Sequence, residues 1–205
     1  MTPAADLAGA DAAAIARRRS IVHGLHRYAL AFLLAFASVD VCVAETEGEL
    51  AEYRVKAAFL YKFGEYVEWP SDPVQRTDNS LVIGVIGADA LADHLAQLVV
   101  GRSVNGRPVS VRKMRRGEPL DTVQLLFIGR SENDRLAGHL AAARGHPVLT
   151  VTESDQGLSA GSMVNFVIVD DKVRFDIALP AVEEGNLRIS ARLLSVARKV
   201  MGRPS

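Results

Sequence analysis

Cysteine is almost missing from this chain: Cys42 is the only one in 205 residues. That excludes an internal disulfide framework and any zinc site built on paired thiolates. Excess charge is missing too, with 24 basic against 24 acidic side chains. No net field draws the protein to nucleic acid or to an anionic membrane. Nor is there an uninterrupted run of the roughly 20 apolar residues that a membrane span needs. The longest, YALAFLLAFASV over 28–39, is too short. Internal repeats and low-complexity tracts are absent after it.

The short run has a different meaning. Arg17, Arg18, Arg19 and Arg27 precede it, and Cys42-Val43-Ala44 follows with small residues at the −3 and −1 positions. This is the pattern of a signal peptide, 1–44, cleaved between Ala44 and Glu45. Asp40 and the branched Val41 do not suit a lipoprotein motif around Cys42. The n-region is long, and residues 1–20 add nothing that export requires, which points to a start further in, at Val22. The remainder, 45–205, is long enough for one domain with a real core, and it contains no cysteine.

Hydrophobic spacing divides that domain. Tyr53, Phe59, Leu60, Phe63, Tyr66 and Val67 recur at helical steps, while Arg54, Lys56, Lys62, Glu65 and Glu68 fill most of the gaps. The pattern predicts an amphipathic helix over 53–70 with Lys56 on its charged face, stopped by Trp69-Pro70. A polar linker, SDPVQRTDNS, follows. The apolar runs LVIGVI (81–86), VQLLFI (123–128) and VLTVT (148–152) are strand-length and suited to burial on both faces. Helical patterns lie between them, the second opened by Ser131 as cap. Asn105-Gly106 signals a hairpin turn. Asp170-Asp171-Lys172 joins strands over 163–169 and 173–177. A last helix is expected over 187–200, with Leu187, Leu193, Leu194 and Val200 inward and Arg188, Arg192 and Arg198 solvated. The alternation predicts an α/β fold of three layers: a mixed, mostly parallel sheet flanked by helices, with an antiparallel hairpin at one side.

No residue set reads as catalytic, cofactor-binding or metal-ligating. Gly84-x-x-Gly87-x-Asp89 lacks the dinucleotide spacing, and its aspartate would repel phosphate, so it reads as a helix start. His94, His139 and His146 are scattered, with no H-x-x-x-H pair. Ser190 and Ser195 have no nucleophile elbow. The adjacent carboxylates Asp170-Asp171 and Glu183-Glu184 read as a turn and a solvated face.

Two segments carry a resemblance. YRVKAAFLYKFGEYVEWP (53–70) is similar to the opening signature of the YfiR family, roughly VKAAFLYNF…YVEWP. GSMVNFVIVDDKVRFDIALPAVEEGNLRISARLLSVAR is similar to that family's closing block: Gly161, Met163, Asn165 and Phe166, then Val173-Arg174-Phe175 with Ile177, then 187–198. The central G-R-x-V-x-G-R-P-V (101–109) is also family-like. Lys62 and Ala178 stand where asparagine is common, Asp176 stands for glutamate, and the family's cysteine pairs are missing, so no redox control carries over.

The resemblance implies a non-enzymatic periplasmic repressor of an inner-membrane diguanylate cyclase. It would bind the cyclase's periplasmic sensor region and so limit cyclic di-GMP and biofilm formation. An OmpA-like outer-membrane lipoprotein as antagonist and a homodimeric state are implied with it. The loop before the late hairpin and its exposed neighbours are where a partner site is sought: Leu158, Met163, Arg174 and Arg188. The alternative is a periplasmic small-molecule module feeding a sensor kinase or transporter, with a crevice at the sheet's carboxyl edge near Gly87 and Gly129.

Overall fold

A computed structural model describes residues 39–70 and 79–202, with side chains from 48 onward. The chain divides into two units, Met1–Gly48 and Glu49–Ser205, and only the second is developed below. Of the first unit, the described part is helical backbone. The expected cleavage point, Ala44–Glu45, falls in that backbone, and its side chains lie outside the described residues. So do the leader's arginines and nearly all of its apolar run, as well as most of the 71–80 linker.

The first helix, α1, spans Val39–Tyr66 and passes into β1, Val67–Glu68. Then come β2 (Leu81–Ile86), α2 (Asp89–Val99), β3 (Ser103–Val104), β4 (Arg107–Lys113) and β5 (Leu125–Ile128). A 3-10 turn, Arg130–Arg135, leads into α3 (Leu136–Ala143), followed by β6 (Leu149–Thr152), β7 (Val164–Val169) and β8 (Lys172–Ala178). The chain ends through α4 (Leu179–Glu184), β9 (Arg188–Ile189), α5 (Ala191–Val196) and β10 (Lys199–Met201).

Eight strands form one sheet in the order β10-β8-β7-β6-β5-β2-β4-β3. Pairing is parallel from β4 through β2, β5 and β6 to β7, and again between β8 and β10. It is antiparallel within the hairpins β3–β4 and β7–β8. This is the expected mixed, mostly parallel α/β sheet with a hairpin at one side. Strand alternation sends Ile83, Leu125, Phe127, Val151 and Phe166 to a core shared with α1 and α2. Ile86, Leu126 and Ile128 point the other way, to a smaller core with Leu136 and Leu140 of α3. Both hairpins turn on two left-handed residues, Asn105-Gly106 (φ 51 and 78) and Asp170-Asp171 (φ 49 and 56). That is the turn whose twist matches the strands, and it explains the acidic pair without any site.

Four differences from the sequence expectations concern element ends and loops. The opening helix stops at Tyr66, not at Trp69-Pro70. Val67 and Glu68 pair with Ile189 and Arg188, and the Ser190 N–H donates to the Tyr66 carbonyl at 2.9 Å. Proline constrains only its immediate neighbour, so strand pairing ends the helix first. The expected last helix over 187–200 is two strands with a short helix between them. The Ser190 hydroxyl caps α5 by accepting from the Leu193 N–H at 3.4 Å, and the Arg198 N–H donates to the Phe175 carbonyl at 2.9 Å. So short a helical pattern has little intrinsic stability, and available sheet edges outcompete it.

Third, Ser131 is not a cap: its hydroxyl donates to the Gly87 carbonyl at 2.8 Å. Fourth, the loops at Gly87 and Gly129, where the sequence predicts a crevice, are in close contact. A Cβ on Gly129 would sit 2.3 Å from the Gly87 carbonyl oxygen, so these two loops pack backbone against backbone.

Candidate functional site at the carboxyl edge of the sheet

Helix α1 lies across the sheet through Tyr53, Ala57, Leu60 and Phe63, all buried. Phe59 and Phe63 meet Phe166 and Phe175 from the β7–β8 hairpin. The Phe63–Phe175 centroids are 5.1 Å apart and the Phe59–Phe175 centroids 5.3 Å, both edge to face. Such aromatic contacts add to the burial of apolar area that seats the helix.

Lys56 belongs to this buried stripe, three residues after Tyr53 and four before Leu60. The sequence reading that placed it on the charged face is corrected: its side chain is 1% exposed, whereas Val55 is 44% exposed. Burying an ammonium is tolerated only with opposite charge in contact. Two carboxylates supply it, Glu52 one helical turn earlier and Glu153 just after β6. Arg130, just after β5, closes the cluster. Its guanidinium reaches Glu52 at 2.7 Å and Glu153 at 3.4 Å, and its backbone N–H donates to Glu153 at 2.9 Å.

The Lys56 ammonium also stands 5.6 Å from the Tyr53 ring centre and 5.9 Å from that of Phe166. Burial, reinforced by the nearby Glu153 charge, pushes the Tyr53 hydroxyl well above the ordinary phenol range. It therefore stays protonated.

The cluster sits beyond the carboxyl ends of β5 and β6, where open α/β sheets commonly take ligands. Here α1 occupies that place with two cations and two anions in mutual contact. Lys56 is paired with a carboxylate on both sides. The arrangement locks a helix onto a sheet edge. A second buried network stands on the opposite face. The Asn165 side-chain oxygen accepts from the Thr152 hydroxyl at 2.7 Å and from the Ser154 N–H at 3.1 Å. This folds the loop 153–163 onto the sheet, and Gly157 packs so closely there that a Cβ would lie 2.3 Å from the Thr152 hydroxyl.

Compared with known protein families, residues 53–198 match the YfiR/HmsC-like family. The chain belongs to that family. The match covers the whole sheet apart from β10, together with Lys56, Arg130 and Glu153 of the buried ion cluster, while Glu52 lies one residue before it. The YfiR/HmsC-like family is periplasmic and regulatory rather than catalytic, and its setting is diguanylate cyclase signalling. Among the described residues, no helix is long and apolar enough to cross a membrane.

The YfiR-like motifs have separable structural work. The lysine of VKAAFLY is the buried cation, and the asparagine of SMVNF anchors the 153–163 loop. YVEWP and NLRIS meet as β1 and β9. Trp69 donates from its indole nitrogen to the Gln124 carbonyl at 3.0 Å. Arg198, expected to be solvated, forks onto the buried Asp176, with 2.8 Å from Nε to one carboxylate oxygen.

The four partner-site residues are not gathered into one patch. Leu158 is half-buried in the 153–163 loop. Met163 is buried in the core shared with α1, its methyl so near Gly185 that a Cβ there would approach to 2.4 Å. Arg174 is exposed on β8, opposite Val167. Arg188 is exposed on β9 across from Glu68, and both line an open polar cleft of about 620 Å³ with Trp69 and Asn186. Lys56, Glu153 and Arg130 went unread as a group in the sequence. The available signal was a lysine at an apolar position of the i, i+3, i+4 stripe.

Proposed function

We propose that this protein is exported by cleavage between Ala44 and Glu45 and represses an inner-membrane diguanylate cyclase by binding its periplasmic sensor region. The observation that carries the reading is the family match over residues 53–198. The buried ion cluster at the carboxyl edge supports it, because it seats α1 on the sheet and a repressor needs a rigid recognition surface. Repression works by differential binding: the complex must favour the cyclase's inactive state by a few kcal/mol to shift its population. An OmpA-like outer-membrane lipoprotein that sequesters the repressor would release cyclic di-GMP synthesis and biofilm formation.

The proposed contact residues are Leu158, Met163, Arg174 and Arg188, which would meet the partner over more than one patch, and the working unit is a homodimer. Deleting the gene tests the function. Cellular cyclic di-GMP and surface attachment should both rise, and complementation should restore them. Unchanged cyclic di-GMP across several growth conditions would refute the repressor role. A pull-down from membrane extract should recover a membrane cyclase.

A further inference from the structure

The face of the sheet opposite α1 carries a cavity that plays no part in the Lys56 cluster. The loop 114–121, between β4 and β5, arches beside α3 and leaves a space of about 280 Å³ beneath it. Ile86, Met114 and Leu126 line it, all buried, together with the half-buried Leu120. Polar side chains in the lining include His139, His146, Arg115 and Glu118, and Ala142 of α3 also faces the space.

Two sets of polar contacts prop the loop against α3 and the segment after it. Glu132, in the 3-10 turn, joins Arg116 at 3.5 Å to His139 at 2.8 Å. Asp121 meets His146 at 3.7 Å. The space is therefore held open by contacts on both sides of the loop.

We propose that this cavity binds a compact, uncharged molecule with an apolar, ring-sized body and one hydrogen-bonding group. Size sets the first condition, since the space lies just below the usual range for small-molecule sites. The thioether of Met114 and the aliphatic walls suit a flat apolar body. Charge sets the second. Around the loop, Arg112, Arg115 and Arg116 stand against Glu118, Asp121 and Glu132, so an ion finds no net attraction. His139 supplies the polar contact. One ring nitrogen is taken by Glu132, and the other has no partner among the described residues. With Nε2 donating to the Glu132 carboxylate, the other nitrogen of a neutral imidazole is an acceptor.

The test uses benzyl alcohol as probe and carbon-labelled methyl NMR on the exported domain. Saturable shifts are expected at the methyls of Met114 and Leu126, with half-effect in the millimolar range, on the order of 1 mM. Benzoate and benzylamine, which keep the ring and add a charge, should bind several-fold more weakly. Ala142→Phe, at an exposed lining position, should fill the space and abolish the shifts. Ala141→Phe, one residue along the same helix and not lining the cavity, should leave them intact. Both variants should melt with the parent. Absent or non-saturable shifts, shifts that survive Ala142→Phe, or equal binding of benzoate would each overturn the proposal.

Discussion

Lys56 and Glu153 form an ion pair across 97 residues of sequence with both side chains buried, 1% and 2% exposed. The pair ties the first helix to the end of a central strand. Glu52 and Arg130 complete it, so each charge at the centre has an opposite neighbour. Pairs of this kind contribute modestly while intact and cost much when one partner is removed.

Lys56→Met should therefore destabilise the domain by about 3 kcal/mol, because Glu153 keeps only Arg130 as counter-charge. Adding Glu153→Gln should recover most of the loss, since the amide still accepts the Arg130 N–H without a charge. Urea unfolding of the two single variants and the double variant gives the coupling directly. Simple additivity would contradict the paired arrangement.

The start of the loop over Asn165 is tied to the sheet by one side-chain oxygen. Asn165→Ala leaves the Ser154 N–H and the Thr152 hydroxyl without their shared acceptor in a buried place. The expected cost is about 1–3 kcal/mol. Gly157→Ala should hurt through sterics instead, as its Cβ would come within 2.4 Å of the Asn165 oxygen. Limited proteolysis should cut within 153–163 in both variants, well before global unfolding. Resistance equal to the parent protein would show that the loop is held by something else.

Acid sensitivity should trace in part to Glu132. The hydrogen bond from His139, with a smaller contribution from Arg116, holds its carboxyl below the ordinary carboxylate range. A carboxyl depressed in the folded state stabilises the fold above its unfolded pKa. That contribution disappears as pH falls through the folded value. Between about pH 5 and about pH 3, the urea midpoint of Glu132→Gln should thus fall less steeply than that of the parent. Parallel slopes would remove Glu132 from the account.

The edge strand β10 is attached through Arg198 and Asp176. Arg198→Ala should leave Asp176 buried without its guanidinium fork, and β10 should loosen first. Hydrogen exchange at residues 199–201 is the measurement. Faster exchange there, with β6 unchanged, is the expected result, because local opening follows local contacts. Arg198→Lys should rescue only partly, since an ammonium cannot fork onto both carboxylate oxygens.

Much of this protein was legible in its sequence because periodicity reports burial. The runs LVIGVI and VQLLFI are apolar on both faces, and both strands lie inside the sheet with a core on each side. Asn105-Gly106 and Asp170-Asp171 marked their hairpins, as few other residues accept two left-handed positions in a row. The family, too, was written in the order of three motifs. What failed did so where a residue's state depends on chain far away. Arg198 looked solvated because Asp176 lies on another strand. The pattern over 187–200 looked helical because the edges of β1 and β8, which claim its two ends, cannot be seen from within it.

Lys56 shows the division most clearly. The sequence by itself determined that an amphipathic helix with an aromatic stripe would begin the domain. It also determined that strands and helices would then alternate into an α/β sheet. Only the tertiary structure decided that the charge in VKAAF faces inward. A lysine is buried at no prohibitive cost only if two carboxylates and a guanidinium arrive from three separate places in the chain. Residues 52, 130 and 153 come together there because the helix crosses the sheet at the ends of β5 and β6.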